Sequence, residues 1–209
     1  HIANFSKGEF PSKIARECLL AGHNVIYLHA KGARRPFCRE FTFDPAKPAG
    51  PQLKELLKTQ KIFQKLQKNI RYVEFIEFKD YAKSLEQILR TENIDIAFLG
   101  AAVSDYGIGS FPGKISSTEE ELCLRLTKNL KVIKKVKDWS RRPIFQVGFK
   151  LLSGAPADEL IEKAYISGLT NKSDLTIAND LSSIRSKERE VYIVTPDRGV
   201  HKLRGNDVA

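Results

Sequence analysis

The stretch Ile94-Asp95-Ile96-Ala97-Phe98-Leu99-Gly100-Ala101-Ala102-Val103-Ser104-Asp105-Tyr106 reads as an apolar, buried strand opening at once into a tight loop of small residues. In an open α/β sheet, ligands sit at the carboxyl ends of the strands. Small side chains there let main-chain N–H and C=O groups reach a nucleotide or a carboxylate with no Cβ in the way. Asp105, just beyond them, is the first candidate for a polar or metal-facing contact.

Upstream of this strand, Ile14, Ala15, Cys18, Leu19 and Gly22 follow helical spacing, and Asn24 to His29 reads as a buried strand. Leu53, Leu56, Leu57, Phe63 and Leu66 give a second amphipathic helix, Tyr72 to Phe78 a half-buried strand, and Tyr81 to Leu89 a third helical stripe. This alternation is the rhythm of a parallel sheet wrapped by helices. Downstream, Val132 to Trp139 reads as helix, Phe145 to Leu151 as strand, Leu160 to Leu169 as helix and Leu175 to Ala178 as a short strand. Val191–Thr195 and Val200–Leu203, split by Pro196-Asp197-Arg198-Gly199, form a terminal hairpin. Residues 1–209 are thus expected to form one domain.

Composition narrows the class. The 209 residues are 42% hydrophobic and 29% charged, as in an ordinary soluble domain, and no apolar run approaches a membrane span. Cys18, Cys38 and Cys123 have no metal-ligand spacing and read as reduced thiols in a cytoplasmic protein. The net charge of +10 invites a nucleic-acid partner. Yet the lysines are dispersed along helical faces (Lys54, Lys58, Lys61, Lys65 and Lys68; then Lys128, Lys131, Lys134, Lys135 and Lys137) with no aromatic interleaving. Solvated helix faces come first, and attraction of a small polyphosphate second.

Several short motifs carry chemistry. Asn4-Phe5-Ser6-Lys7-Gly8 precedes the first helix, where free N–H groups favour an oxyanion or phosphate, although taken alone the motif reads first as a simple helix cap. Lys114, flanked by Gly113 on a Gly/Pro-rich loop, could close over a triphosphate and offset the charge that develops on it. Gly148-Phe149-Lys150 lies in a strand, and Ala178-Asn179-Asp180 ends another.

Taken in order, Asn-Phe-Ser-x-Gly at 4–8, Ala-Ala-Val-Ser-Asp at 101–105, Lys-Ile-x-Ser at 114–117, Gly-Phe-Lys-Leu at 148–151 and Ala-Asn-Asp at 178–180 resemble the phosphopantothenoylcysteine synthetase (phosphopantothenate–cysteine ligase) family of coenzyme A biosynthesis. The resemblance runs from residue 2 to about 203. It implies a Rossmann-like parallel sheet flanked by helices, with a C-terminal β-hairpin extension used to form a homodimer. It further implies an Mg²⁺-dependent ligase with two steps. The carboxylate of 4′-phosphopantothenate attacks the α-phosphate of a nucleoside triphosphate, CTP ahead of ATP, and releases pyrophosphate. The amine of L-cysteine then displaces the nucleotide from the acyl-nucleotidylate.

By the same resemblance, Asn4 acts on the acyl-nucleotidylate, with Ala102 beside the substrate, and Lys114 is the flap lysine. Gly100, Ala101, Ala102, Asp105, the segment Leu130, Lys131, Val132 and Ile133, then Phe149 and Lys163 hold the nucleotide; the metal ligands stay unassigned. The chain departs from the family pattern too. Leu130 stands where proline is usual, Ser167 where bacterial members often carry a second nucleotide lysine, and Phe10-Pro11 where glycine is expected.

The Gly-Gly-Thr-type phosphate loop and its strand are not found before His1, so the sheet is expected to lack its first strand. A chain that begins at His1 and holds no methionine is expected to be part of a longer one. The four histidines match no flavin-binding decarboxylase, which leaves a free-standing ligase or the ligase fragment of a larger chain. The runner-up is an NAD(P)-dependent Rossmann-fold oxidoreductase, whose Gly-x-Gly-x-x-Gly turn is not visible. A basic nucleic-acid-binding module stands third. The favoured partners are small molecules, with no nucleic acid and no membrane.

Overall fold

The computed structural model describes residues 7–38, 42–109, 121, 123–184 and 189–205. Helix α1 (Glu9–Leu20) follows Gly8, whose left-handed φ of 71° turns the chain into the helix. Its apolar stripe buries Ile14, Ala15 and Leu19. Strand β1 (Val25–Ala30) pairs in parallel with β2 (Ile70–Phe75), with Tyr27 opposite Tyr72 and His29 opposite Glu74. Between them runs α2 (Ala49–Leu66), which buries none of its residues fully. Its lysine-rich face is solvated, as its spacing predicts.

Helix α3 (Phe78–Thr91) starts on a capping box in which the side chains of Glu77 and Asp80 accept each other's backbone N–H groups. It buries Tyr81, Leu85, Ile88 and Leu89. Phe78, taken from the sequence as part of the preceding strand, is the first residue of this helix. The chain then enters β3 (Ile96–Phe98) and a small antiparallel pair, β4 (Tyr106–Ile108) with β5 (Leu126–Lys128). A 3₁₀ turn at Val132–Lys135 leads into α4 (Val136–Trp139), so the expected helix is split in two.

Strand β6 (Phe145–Leu152), α5 (Ala157–Asn171), β7 (Leu175–Asp180), α6 (Leu181–Ile184), β8 (Arg189–Val194) and β9 (Val200–Gly205) complete the chain. The larger sheet has the order β3-β6-β7-β8-β9, with β3, β6 and β7 parallel and the last two strands antiparallel. The terminal hairpin is therefore present. The α/β class with parallel strands and flanking helices stands.

Two features differ from the sequence reading. The parallel strands do not form one continuous sheet: among the described residues β1 bonds only to β2, and β3 only to β6. Yet one core joins the two parts, because Phe75, Leu28 and Ala30 pack with Ala97, Leu99 and α3. The strand that ends at Leu99 is also not buried on both faces; Ile96 is 50% and Phe98 41% exposed. A strand that bonds on one edge leaves its other edge and part of one face open to water.

Candidate functional site

Three segments meet beyond the end of β3. Leu99 continues the pairing through a 3.0 Å hydrogen bond from its N–H to the Val147 carbonyl, which fixes where the small-residue loop begins. At Gly100, a Cβ would stand 2.8 Å from Pro11 Cγ and 3.6 Å from Phe149 Cε2. Glycine is favoured there because Pro11, in the first turn of α1, leaves no room for a Cβ, while the Phe149 ring packs at ordinary contact distance. Phe10 adds an edge-on contact to Phe149, with ring centroids 5.9 Å apart. The loop after β3, the start of α1 and the upper part of β6 thus form one junction.

From there the loop is tied to the segment after β5. Asn129 donates its backbone N–H to the Asp105 carbonyl at 2.8 Å and its side-chain amide to the Ser104 carbonyl at 2.9 Å. Lys131 Nζ lies 2.8 Å from Asp105 Oδ1, with both side chains at least half exposed. Ala101 and Val103 pack against the core cluster to which buried Val132 belongs, and Ile133 lies where a Cβ on Gly148 would touch it at 3.6 Å.

Gly100, Ala101, Asp105, Lys131, Val132, Ile133 and Phe149 are therefore linked by the loop after β3, the segment after β5 and the middle of β6. Ala102 and Leu130 stand exposed on the same two loops. The arrangement presents backbone groups and one paired carboxylate and ammonium on an open surface, which suits a polar ligand.

Lys163 is not drawn into this group. It lies on α5 and pairs with Glu159 at 2.6 Å, and no hydrogen bond or ion pair joins it to the 100–105 loop among the described residues. Asn4 and Lys114 lie outside the described residues. Among the described residues, no three His, Cys, Asp or Glu side chains converge as ligands for a metal.

Three contributors escaped the sequence-based site. Asn129 does so because its partners sit some twenty-five positions earlier. Pro11 was seen only as a departure from a pattern. Asp180 closes the loop after β6: it accepts hydrogen bonds from the Ser182 hydroxyl, from Ser182 N–H at 2.8 Å and from Ala155 N–H at 3.1 Å. These bonds, the Ser182 hydroxyl foremost, hold its carboxyl down at about 2. One residue earlier, Asn179 Oδ1 is buried without a partner among the described residues, an acceptor left at the carboxyl end of β7.

The chain is similar to known proteins over most of its length. Residues 56–207 match the family described as the DNA/pantothenate metabolism flavoprotein C-terminal domain. The bifunctional coenzyme A biosynthesis protein CoaBC of Thermococcus kodakarensis is 32% identical over 119 residues, covering 57% of this chain and 29% of that protein. The phosphopantothenate–cysteine ligase 1 of Oryza sativa subsp. japonica is 27% identical, covering 93% of this chain and 66% of that protein.

Among solved structures, the DNA/pantothenate metabolism flavoprotein from Streptococcus pneumoniae superposes with a TM-score of 0.72 at 25% identity, covering 98% of this chain and 84% of that one. A Cab2 H337A mutant in complex with phosphopantothenate-cysteine shares the fold, with a TM-score of 0.79 at 24% identity and coverage of 96% and 72%. The chain spans under a third of the length of the archaeal CoaBC proteins it matches.

Proposed function

Because the chain belongs to the DNA/pantothenate metabolism flavoprotein C-terminal domain family, we propose that it joins 4′-phosphopantothenate to L-cysteine at the junction of the β3 loop, the Lys131 segment and Phe149. The observation that supports this reading is that the loop from Gly100 to Asp105 meets Phe149 at one end and Lys131 at the other. A carboxylate is a poor acylating agent until one of its oxygens becomes part of a phosphate leaving group. The protein must therefore hold a triphosphate and a carboxylate together and limit access of water.

In this reading the nucleotide lies along Gly100 to Asp105, with Leu130 to Ile133 and Phe149 around it. Lys163 reaches its phosphates by leaving Glu159. Asn4 positions the activated acyl group and Lys114 closes over the phosphates. The first step releases pyrophosphate; the second transfers the acyl group to the cysteine amine and frees the nucleoside monophosphate. Mg²⁺, when bound, screens the phosphates. No protein cage for it is formed among the described residues, which fits an ion carried mainly by phosphate oxygens and water.

Residues 1–209 act as one nucleotide-binding domain, its sheet completed between β1 and β3 by a strand from outside the described residues. The shared core beneath two strand edges that have no partner among the described residues supports this. The β8–β9 hairpin pairs two copies into a homodimer, and the enzyme works in the cytoplasm. Among the described residues no helix is long and apolar enough to cross a membrane. The oxidoreductase and nucleic-acid readings gain nothing from the site or from the relatives.

The deciding experiment is a pyrophosphate-release assay with CTP, ATP, GTP and UTP in turn. Release is expected only when phosphopantothenate and a nucleotide are both present, with CTP preferred over ATP. Release without phosphopantothenate overturns the proposed order of steps. Asn4→Asp is expected to let the acyl-nucleotidylate accumulate, and Lys114→Gln to slow chiefly the first step. Unimpaired cysteine transfer in Asn4→Asp removes the role given to Asn4.

A further inference from the structure

A second concave site lies on the other side of the α1 N-terminus, at the carboxyl ends of β1 and β2. It is a cavity of about 190 Å³ lined by His29, Gly32, Arg34, Arg35, Cys38 and Glu74, with Ala33 at its wall. That is below the ~300 Å³ at which pockets for drug-sized ligands begin, so the occupant must be small.

The loop over the cavity is fixed at several points. Lys31 donates to the Phe75 carbonyl at 2.9 Å, Ala33 to Ala30 at 3.0 Å, and Arg34 to the Lys7 carbonyl at 2.8 Å. Gly32 takes a φ of 78°, and the Tyr27 hydroxyl donates to the Arg34 carbonyl at 2.9 Å. The floor is aromatic and polar: His29, only 7% exposed, stacks on Tyr27 and meets Tyr72 edge-on. Its Nδ1 lies 3.0 Å from the Ala30 carbonyl, so Nδ1–H donates there and Nε2 is left as an acceptor. Arg35 lies 5.2 Å above the Tyr72 ring, whose buried hydroxyl has no partner among the described residues.

Around this small cavity stand two guanidinium groups, Arg34 lying 3.6 Å from the Glu9 carboxylate, and the Glu74 carboxylate, so the charges nearly balance and do not suit a phosphate dianion. They suit a molecule that carries both charges. We propose that this cavity binds a free α-amino acid, its carboxylate on Arg34 and Arg35 and its ammonium on Glu74 and His29 Nε2. Resting on the ligase reading above, that amino acid is the L-cysteine substrate. Its cavity is joined to the N-terminus of α1, because a Cβ on Gly8 would stand 3.2 Å from Ala33 Cβ and 3.5 Å from Arg34 N.

Cys38 supplies a direct readout. Its alkylation by iodoacetamide, followed by peptide mass, is expected to slow at least threefold in millimolar L-serine, an unreactive stand-in for cysteine. Exposed Cys123 is the internal reference and is expected to keep its rate. Protection by inorganic phosphate and not by L-serine, or no protection by either, overturns the proposal. In the complete reaction, Arg35→Gln and Glu74→Gln are each expected to raise the KM for cysteine at least tenfold more than the KM for phosphopantothenate. Equal shifts overturn the assignment of cysteine to the cavity. Absence of pyrophosphate release by the unaltered protein overturns the ligase reading instead, and the alkylation experiment still decides the cavity, as it does if the variants fail to fold.

Discussion

Asn129 donates its side-chain amide to the Ser104 carbonyl at 2.9 Å and so holds the loop after β3 against the end of β5. The approach is close: a Cβ on Gly107 would stand 2.9 Å from Asn129 Oδ1. Asn129→Ala leaves the backbone bond to Asp105 but removes the one to the Ser104 carbonyl. We expect a stability loss of about 1 kcal/mol, as for one ordinary hydrogen bond. The KM for nucleotide should rise roughly tenfold, because a loosened loop must be ordered again on binding. Initial rates at varied nucleotide check this.

The Asp105–Lys131 pair is exposed, and such pairs contribute about 0–1 kcal/mol to folding. Asp105→Asn should leave the urea midpoint nearly unchanged and still lower nucleotide-dependent pyrophosphate release by about tenfold or more, in line with loss of a charged hydrogen-bond partner. A large fall in stability with unchanged release would show the pair to be a structural tie.

Gly100→Ala puts a methyl group 2.8 Å from Pro11 Cγ, an atom of a rigid ring in the first turn of α1. The expected cost is about 1–3 kcal/mol, the usual penalty of an overfilled contact. Pro11→Ala should recover part of it, giving a coupling of at least ~0.5 kcal/mol in a double-mutant cycle by urea unfolding. Additive losses would mean that the clash is relieved elsewhere.

Asp180 gives a pH-dependent test. Its carboxyl is held at about 2, below its ordinary 3.8, mainly by the Ser182 hydroxyl. A carboxyl whose folded value is lowered contributes its full stability above the unfolded value, and that contribution fades as pH falls from about 4 through 2. Asp180→Asn should therefore be clearly less stable than the unaltered chain at pH 7, and the difference should shrink between pH 4 and 2. Urea midpoints across that range check it; a constant difference would remove the carboxylate from the explanation.

Tyr27 gives the opposite sign. Burial, reinforced by Tyr72, pushes its hydroxyl up to about 12. Its contribution is complete below pH 10 and is lost as pH rises through 12. Tyr27→Phe should flatten the alkaline limb of the stability profile, read as thermal midpoints from pH 9 to 12.

Much of this was legible in the chain before folding. The spacing of Tyr81, Leu85 and Leu89 marks the buried stripe of α3, and the β-branched run from Val191 marks β8, because side-chain period follows backbone geometry directly. The small residues from Gly100 onward mark a strand-end loop. Periodicity does not say which strands bond to which, so the exposure of Ile96 and Phe98 and the break between β1 and β3 could not be read from it. Nor could the contacts of Asn129 with Ser104 or Pro11 with Gly100, which depend on how distant segments are brought together.

The close seat of Ala33 on Gly8 has a further result. The Ala33 methyl group sits between the arginine-lined cavity and the start of α1, the helix that also meets the loop after β3. Enlarging that residue would drive a wedge between the two compartments while leaving the chemistry of each intact. The spacing of the two compartments would then be tuned by the bulk of an uncharged side chain on the cavity wall.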